Sequence, residues 1–168
     1  MSEARAALLD TVVRLAIERG SDDDLAAIER NVNETQEFTD AGLVAERARA
    51  ATDFYSLLAA ASHNQALVML VDATTEIVRQ VLGQLDDWGA LPLTWVVPQR
   101  RALLKLLRDR AADEAAIAVR SHVAQIEKAM QERLSASVSH RSRVARRKPP
   151  VKSAVPRKPT KRGAGIAL

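Results

Sequence analysis

RAALLDTVVRLAIERGSDDDLAAIE, residues 5–29, contains an apolar stripe, a stop and a restart within one short stretch. Ala7, Leu8, Val12, Leu15 and Ala16 recur three to four residues apart, the spacing that puts side chains on one face of a helix, so a helix is expected over 3–19. Gly20 stands where a helix stops. Ser21 offers a hydroxyl to the free amides of a following helix, and Asp22, Asp23 and Asp24 place negative charge in its first turn, where the helix dipole favours it. That capping role accounts for the acids without a calcium loop. The second helix is expected to run to about Phe38.

The same pattern continues outward. A third helix is expected over 40–63, with His63 at its end beside an Asn64 cap. A fourth, over 65–86, carries Leu67, Leu70, Val71, Ile77, Val78, Val81 and Leu85, and the segment DDWGALPLT breaks it at Gly89 and Pro92. A fifth starts near Trp95 to Pro98, proline being tolerated in a first turn, and aligns Val96, Arg100, Leu103, Leu104 and Leu107. A sixth, over 112–136, aligns Ala115, Val119, His122, Val123, Ile126 and Met130. The expected fold is all-α, an antiparallel bundle of about six helices. Composition agrees: apolar residues are 47%, mostly Ala, Leu and Val, which lose little freedom in a helix, while aromatics are only 3%. No run of alternating β-branched residues suggests a strand.

Charge divides the chain in two. Of 25 Lys and Arg, ten lie between His140 and the end, where there is no acid; 1–139 therefore holds fifteen bases against 21 acids, a net −6. Residues 1–139 are expected to form the helical domain and 140–168 a disordered basic tail, since Pro149, Pro150, Pro156 and Pro159 oppose a packed helix there. Arg141, Arg143, Arg146, Arg147, Lys148, Lys152, Arg157, Lys158, Lys161 and Arg162, with no aromatic to stack on a base, suit non-specific phosphate contact. A merely solubilising terminus is the alternative. No apolar run reaches the roughly 20 residues of a membrane span, and the amino terminus lacks a signal-peptide pattern. A cytoplasmic protein without membrane contact is expected.

The motifs of catalysis are missing. The chain has no cysteine, Gly-rich phosphate loop, HExxH or GxSxG, and its three histidines are scattered. The expectation is no enzyme and no cofactor. The runs ERAR (46–49) and RDR (108–110) suit solvated helix faces, and Met69 and Met130 suit core filler. Arg100 and His122 are the anomalies, each on an otherwise apolar stripe.

Three blocks in order, residues 5–29, ATDFYSLLAAASHNQALVML (51–70) and QRRALLKLLRDRAADEAAIAVRSHV (99–123), resemble the FCD ligand-binding domain of FadR-type GntR transcription regulators. The resemblance covers about residues 3–130. It implies a helical bundle around a pocket in which many members hold a divalent metal through one Asp and three His. Matching Phe54 and Asn64 to the family's Phe and Asn puts Ala51 at the Asp position and Tyr55 at the first His. Gln99 to Leu104 match an E-H-R-A-I-L-like block, so Arg100 stands at the second His, and His122 retains the third.

Ala51 has no ligand atom, Arg100 is a fixed cation and Tyr55 is neutral near pH 7. The family metal is therefore expected to be absent. Two readings remain. In one, the guanidinium of Arg100 replaces the metal and takes the carboxylate of a small organic acid, with Tyr55, His122 and Arg5 as neighbours. In the other the pocket is degenerate and Arg100 pairs with a bundle acid. The resemblance further implies homodimerisation, and DNA binding through a separate winged helix-turn-helix domain, for which the sequence before the first helix is too short. A truncated regulator and a free-standing sensor are both consistent with this. A non-sensing helical interaction protein with a nucleic-acid-binding tail is the rival from another class.

Overall fold

The computed structural model describes residues 2–82 and 94–147. Within them the chain forms six helices and no strand: α1 (Ser2–Arg19), α2 (Asp22–Asp40), α3 (Val44–Ala60), α4 (Gln65–Leu82), α5 (Val96–Arg108) and α6 (Ala112–Arg147). α1 is the hub, packing chiefly on α6 and also on α3, α4 and α5, while α2 lies on α3 and α5.

The boundaries follow from local chemistry. α1 ends at Gly20, where a Cβ would meet the Ala16 carbonyl oxygen at 2.4 Å. Ser21 then caps α2 reciprocally: its hydroxyl accepts from the Asp24 amide, and the Asp24 carboxylate accepts from the Ser21 amide. α2 ends two residues later than expected. Gly42 adopts a left-handed φ of 68°, and Leu43 N–H returns to the Phe38 carbonyl, so α3 begins at Val44 rather than near 40. Asn64 caps α4, its side-chain oxygen accepting from the amides of Ala66 and Leu67. His63, at a left-handed φ of 48°, turns the chain there.

Two apolar stripes sit differently from expectation. On α1 the buried set is Leu9, Val12, Val13, Ala16 and Ile17; Ala7 is exposed and Leu8 and Leu15 only half-buried. On α4, Val71 and Thr75 face the core, whereas Met69 is 65% exposed and Leu70 and Ile77 are also exposed. Met69 is therefore not core filler; the bundle covers only one side of α4. The α5 stripe of Val96, Arg100, Leu103, Leu104 and Leu107 is buried throughout, as are Ala115, Val119, His122 and Val123 of α6.

The sixth helix continues to Arg147, past the expected end near 136 and into the segment assigned to the tail. Residues 135–147 contain neither Gly nor Pro, and the first proline is Pro149. Arg141, Arg143, Arg146 and Arg147 are thus on helical backbone, a correction to a disordered region starting at 140. Lys148, Lys152, Arg157, Lys158, Lys161 and Arg162 lie outside the described residues, as does the expected break at Gly89 and Pro92.

Candidate functional site

Five helices deliver the site. Arg5 comes from the first turns of α1, Tyr55 from the middle of α3, Thr74 and Thr75 from α4, Arg100 from the start of α5 and His122 from α6. All four residues singled out in the sequence come together. Arg5 (7% exposed), Tyr55 (6%), Arg100 (1%) and His122 (3%) are buried. Tyr55 is their common neighbour: its ring centroid lies 4.7 Å from the Arg5 guanidinium carbon, 5.5 Å from that of Arg100 and 6.3 Å from the His122 ring.

Arg100 stacks on the Phe54 ring at 4.2 Å, a favourable contact of a cation with an aromatic face. Its Nη2 donates to the Ala51 carbonyl at 2.8 Å. The position that the resemblance assigns to a metal-binding carboxylate therefore offers only a backbone oxygen, and the guanidinium uses it. Nε and Nη1 of Arg100 are buried with no partner. Since Nη2 carries two hydrogens, one beside Nε–H and one beside Nη1–H, a complete bidentate fork survives whichever of them Ala51 takes. Burial pushes the ionisation of Arg100 down, opposed by the Tyr55 phenol; an arginine nonetheless stays protonated at neutral pH.

Arg5 is better satisfied. Nη1 donates to the Thr74 hydroxyl at 3.1 Å, and Nη1 and Nη2 reach the Thr75 hydroxyl at 3.4 Å. Neither Arg5 nor Arg100 has a carboxylate partner among the described residues. The bundle acid that the degenerate reading requires for Arg100 is thus not found there.

His122 is held by residues the sequence reading passed over. Its Nδ1 lies 2.7 Å from Gln99 Oε1, while Gln99 Nε2 donates to Gln125 Oε1 at 2.9 Å. Trp95 contacts the His122 ring edge-on at 5.9 Å. Burial, helped by the charge of Arg100, pushes the His122 pKa down to about 3, so the ring is neutral at physiological pH. Its Nε2 is buried without a partner. Gln99 was visible in sequence as the neighbour of Arg100, and Thr75 as the residue four after Val71 on one face of α4, but neither spacing specified the cross-helix contact.

A divalent cation does not fit this donor set. Four of its neighbours would be a backbone oxygen, a phenol, one imidazole and a buried guanidinium, and among the described residues no three His, Asp or Glu converge on a metal position. A separate cleft of about 340 Å³, lined by Ala16, Ile17, Gly20, Asp22, Leu25, Leu107, Arg108 and Arg110, contains none of these residues. It opens twelve residues along α1 from Arg5, roughly 18 Å away at helical rise.

A helical bundle that converges buried cations and neutral hydrogen-bonding groups, with no nucleophile beside a base, has the form of a sensing domain. The FCD domain family matches residues 1–125, and the chain belongs to that family. FCD domains are effector-binding domains of GntR-type transcription regulators, not enzymes. Among solved structures, E. coli McbR/YncC superposes with a TM-score of 0.69 at 16% identity over 77% of this chain, a likeness of fold. The chain spans 62% of the length of that structure. No curated protein matches it in sequence. No helix of the described residues is long and apolar enough to cross a membrane.

Proposed function

We propose that this domain is the effector-sensing and dimerisation module of a cytoplasmic FadR/GntR-type regulator, and that it binds a small organic acid directly on Arg100 without the family's metal. The burial of Arg100 with two unpartnered nitrogens and no acid beside it carries this reading. Removing a charge from water costs several kcal/mol unless an opposite charge accompanies it. A carboxylate on the free fork would supply that charge and the missing acceptors together. Because Arg100 ties α5 to Ala51 of α3, the occupied state would fix the relation of those helices. A DNA-binding domain reporting one of two arrangements would sense the difference.

The matching test is calorimetric titration with short-chain carboxylic acids against their uncharged amides. Saturable binding of an acid and none of its amide is expected; equal behaviour, or one equivalent of tightly bound metal in the purified protein, would refute the reading.

For dimerisation, the relevant surface is the outer side of α4. Ala66, Met69, Leu70, Ala73 and Ile77 form an exposed face without a charge. A second copy of the domain would cover it, and Leu70→Lys should shift the sedimentation coefficient toward monomer. The basic residues from Arg141 onward would add weak, salt-sensitive contact with nucleic acid.

A further inference from the structure

The carboxylate reading leaves one buried polar atom unexplained, and that atom narrows the ligand. Gln99 presents its oxygen to His122 Nδ1, an orientation fixed by the donation of its own amide nitrogen to Gln125. A carbonyl oxygen only accepts, so Nδ1 carries the ring proton. In a neutral imidazole the other nitrogen is then a lone-pair acceptor. His122 Nε2 is therefore an acceptor, buried and unpartnered, in a site whose other orphan atoms, Arg100 Nε and Nη1, are donors.

Most simple ligands fail to match that pair. A plain monocarboxylate satisfies Arg100 and leaves Nε2 empty. A dicarboxylate, ionised at both ends, sets a second acceptor against the Nε2 lone pair. Arg5 does not rescue it, since its guanidinium is already engaged with the hydroxyls of Thr74 and Thr75. A molecule with one carboxylate and one hydroxyl satisfies both orphans. It is also small enough: the Arg100 guanidinium carbon and the His122 ring centroid each lie within 6.3 Å of the Tyr55 centroid, so they are no more than about 12 Å apart.

Resting on the carboxylate reading, we infer that the effector is a hydroxycarboxylate, its carboxylate on Arg100 and its hydroxyl donating to His122 Nε2. Gln99 and Gln125 are positioning residues that hold the imidazole in the accepting tautomer.

The test uses matched probes on the full chain: 2-hydroxybutanoate and 3-hydroxybutanoate against butanoate, with succinate as the dicarboxylate, each titrated calorimetrically. One of the hydroxy acids is expected to bind at least about tenfold tighter than butanoate, because the partner of a lost hydroxyl is left buried and unpaired. His122→Phe, which keeps a ring but has no acceptor, should bring that ratio to within about twofold and leave butanoate unchanged. His122→Gln, which restores an acceptor, should recover part of the preference and guards against misfolding of the first variant. Butanoate or succinate binding as tightly as both hydroxy acids, while Arg100→Met abolishes all binding, would overturn the hydroxycarboxylate and leave the carboxylate reading standing. Failure of every acid to bind would overturn both.

Discussion

The surface and the interior of this bundle treat arginine in opposite ways. Outside, cations have acids: Arg14 pairs with Asp10 and Asp113, Arg120 with Asp10, and Arg108 with Glu29. Inside, Arg100 and Arg5 meet only neutral oxygens and aromatic faces. An exposed pair is screened by water and contributes little to stability. A buried cation without an acid is costly. The matched charges therefore say little about what the protein does, and the unmatched ones say the most.

The largest effect expected from this contrast concerns pH. His122 has a pKa of about 3 in the folded chain against an ordinary 6.5, whereas the unfolded chain takes up its proton below 6.5. Its contribution is therefore fully present above pH 6.5 and is lost as pH falls toward 3, at about 1.4 kcal/mol per pH unit. Denaturant melts of the ligand-free protein between pH 6 and 4 should show this slope, and His122→Gln should flatten it. Next is Arg5→Ala, which strands the buried Thr75 hydroxyl and removes a cation from the Tyr55 face. It should lower stability by about 1–2 kcal/mol in urea melts. Ser21→Ala removes half of the α2 capping box and should cost about 1 kcal/mol by the same measurement. Smallest of all, Arg108→Ala breaks the exposed pair with Glu29 and should leave the melting temperature unmoved; a clear drop would show that the surface pairs matter more than the contrast allows.

The helix order was legible because the punctuation is local: Gly20, the Ser21 cap and the Asn64 cap act within a few residues of themselves. The buried face of α1 was less so. Stripes through Leu8 and Leu15 and through Leu9, Val13 and Ile17 both have helical spacing, and only the packing of α6 and α3 against α1 chooses between them. α4 carries apolar residues on more of its circumference than the bundle covers, so periodicity placed Leu70 and Ile77 inside when both are exposed. The site residues Arg100 and His122 stood out as polar side chains on apolar stripes. What held them did not, because the Gln99 to His122 contact and the hydrogen bonds from Arg5 to α4 join residues far apart in sequence. Ala51 contributes through its carbonyl, which no side-chain motif encodes.

The central claim is that Arg100 is retained for a ligand and not for the fold. It is tested most directly by thermal melts of Arg100→Met and the unaltered protein, each with and without a saturating hydroxycarboxylate. Methionine fills a similar volume and removes the uncompensated charge, so the ligand-free variant should melt at or above the unaltered protein, a gain of up to about 1–4 kcal/mol, and should gain nothing from the acid. A variant that melts several degrees lower and is still protected by the acid would contradict the account.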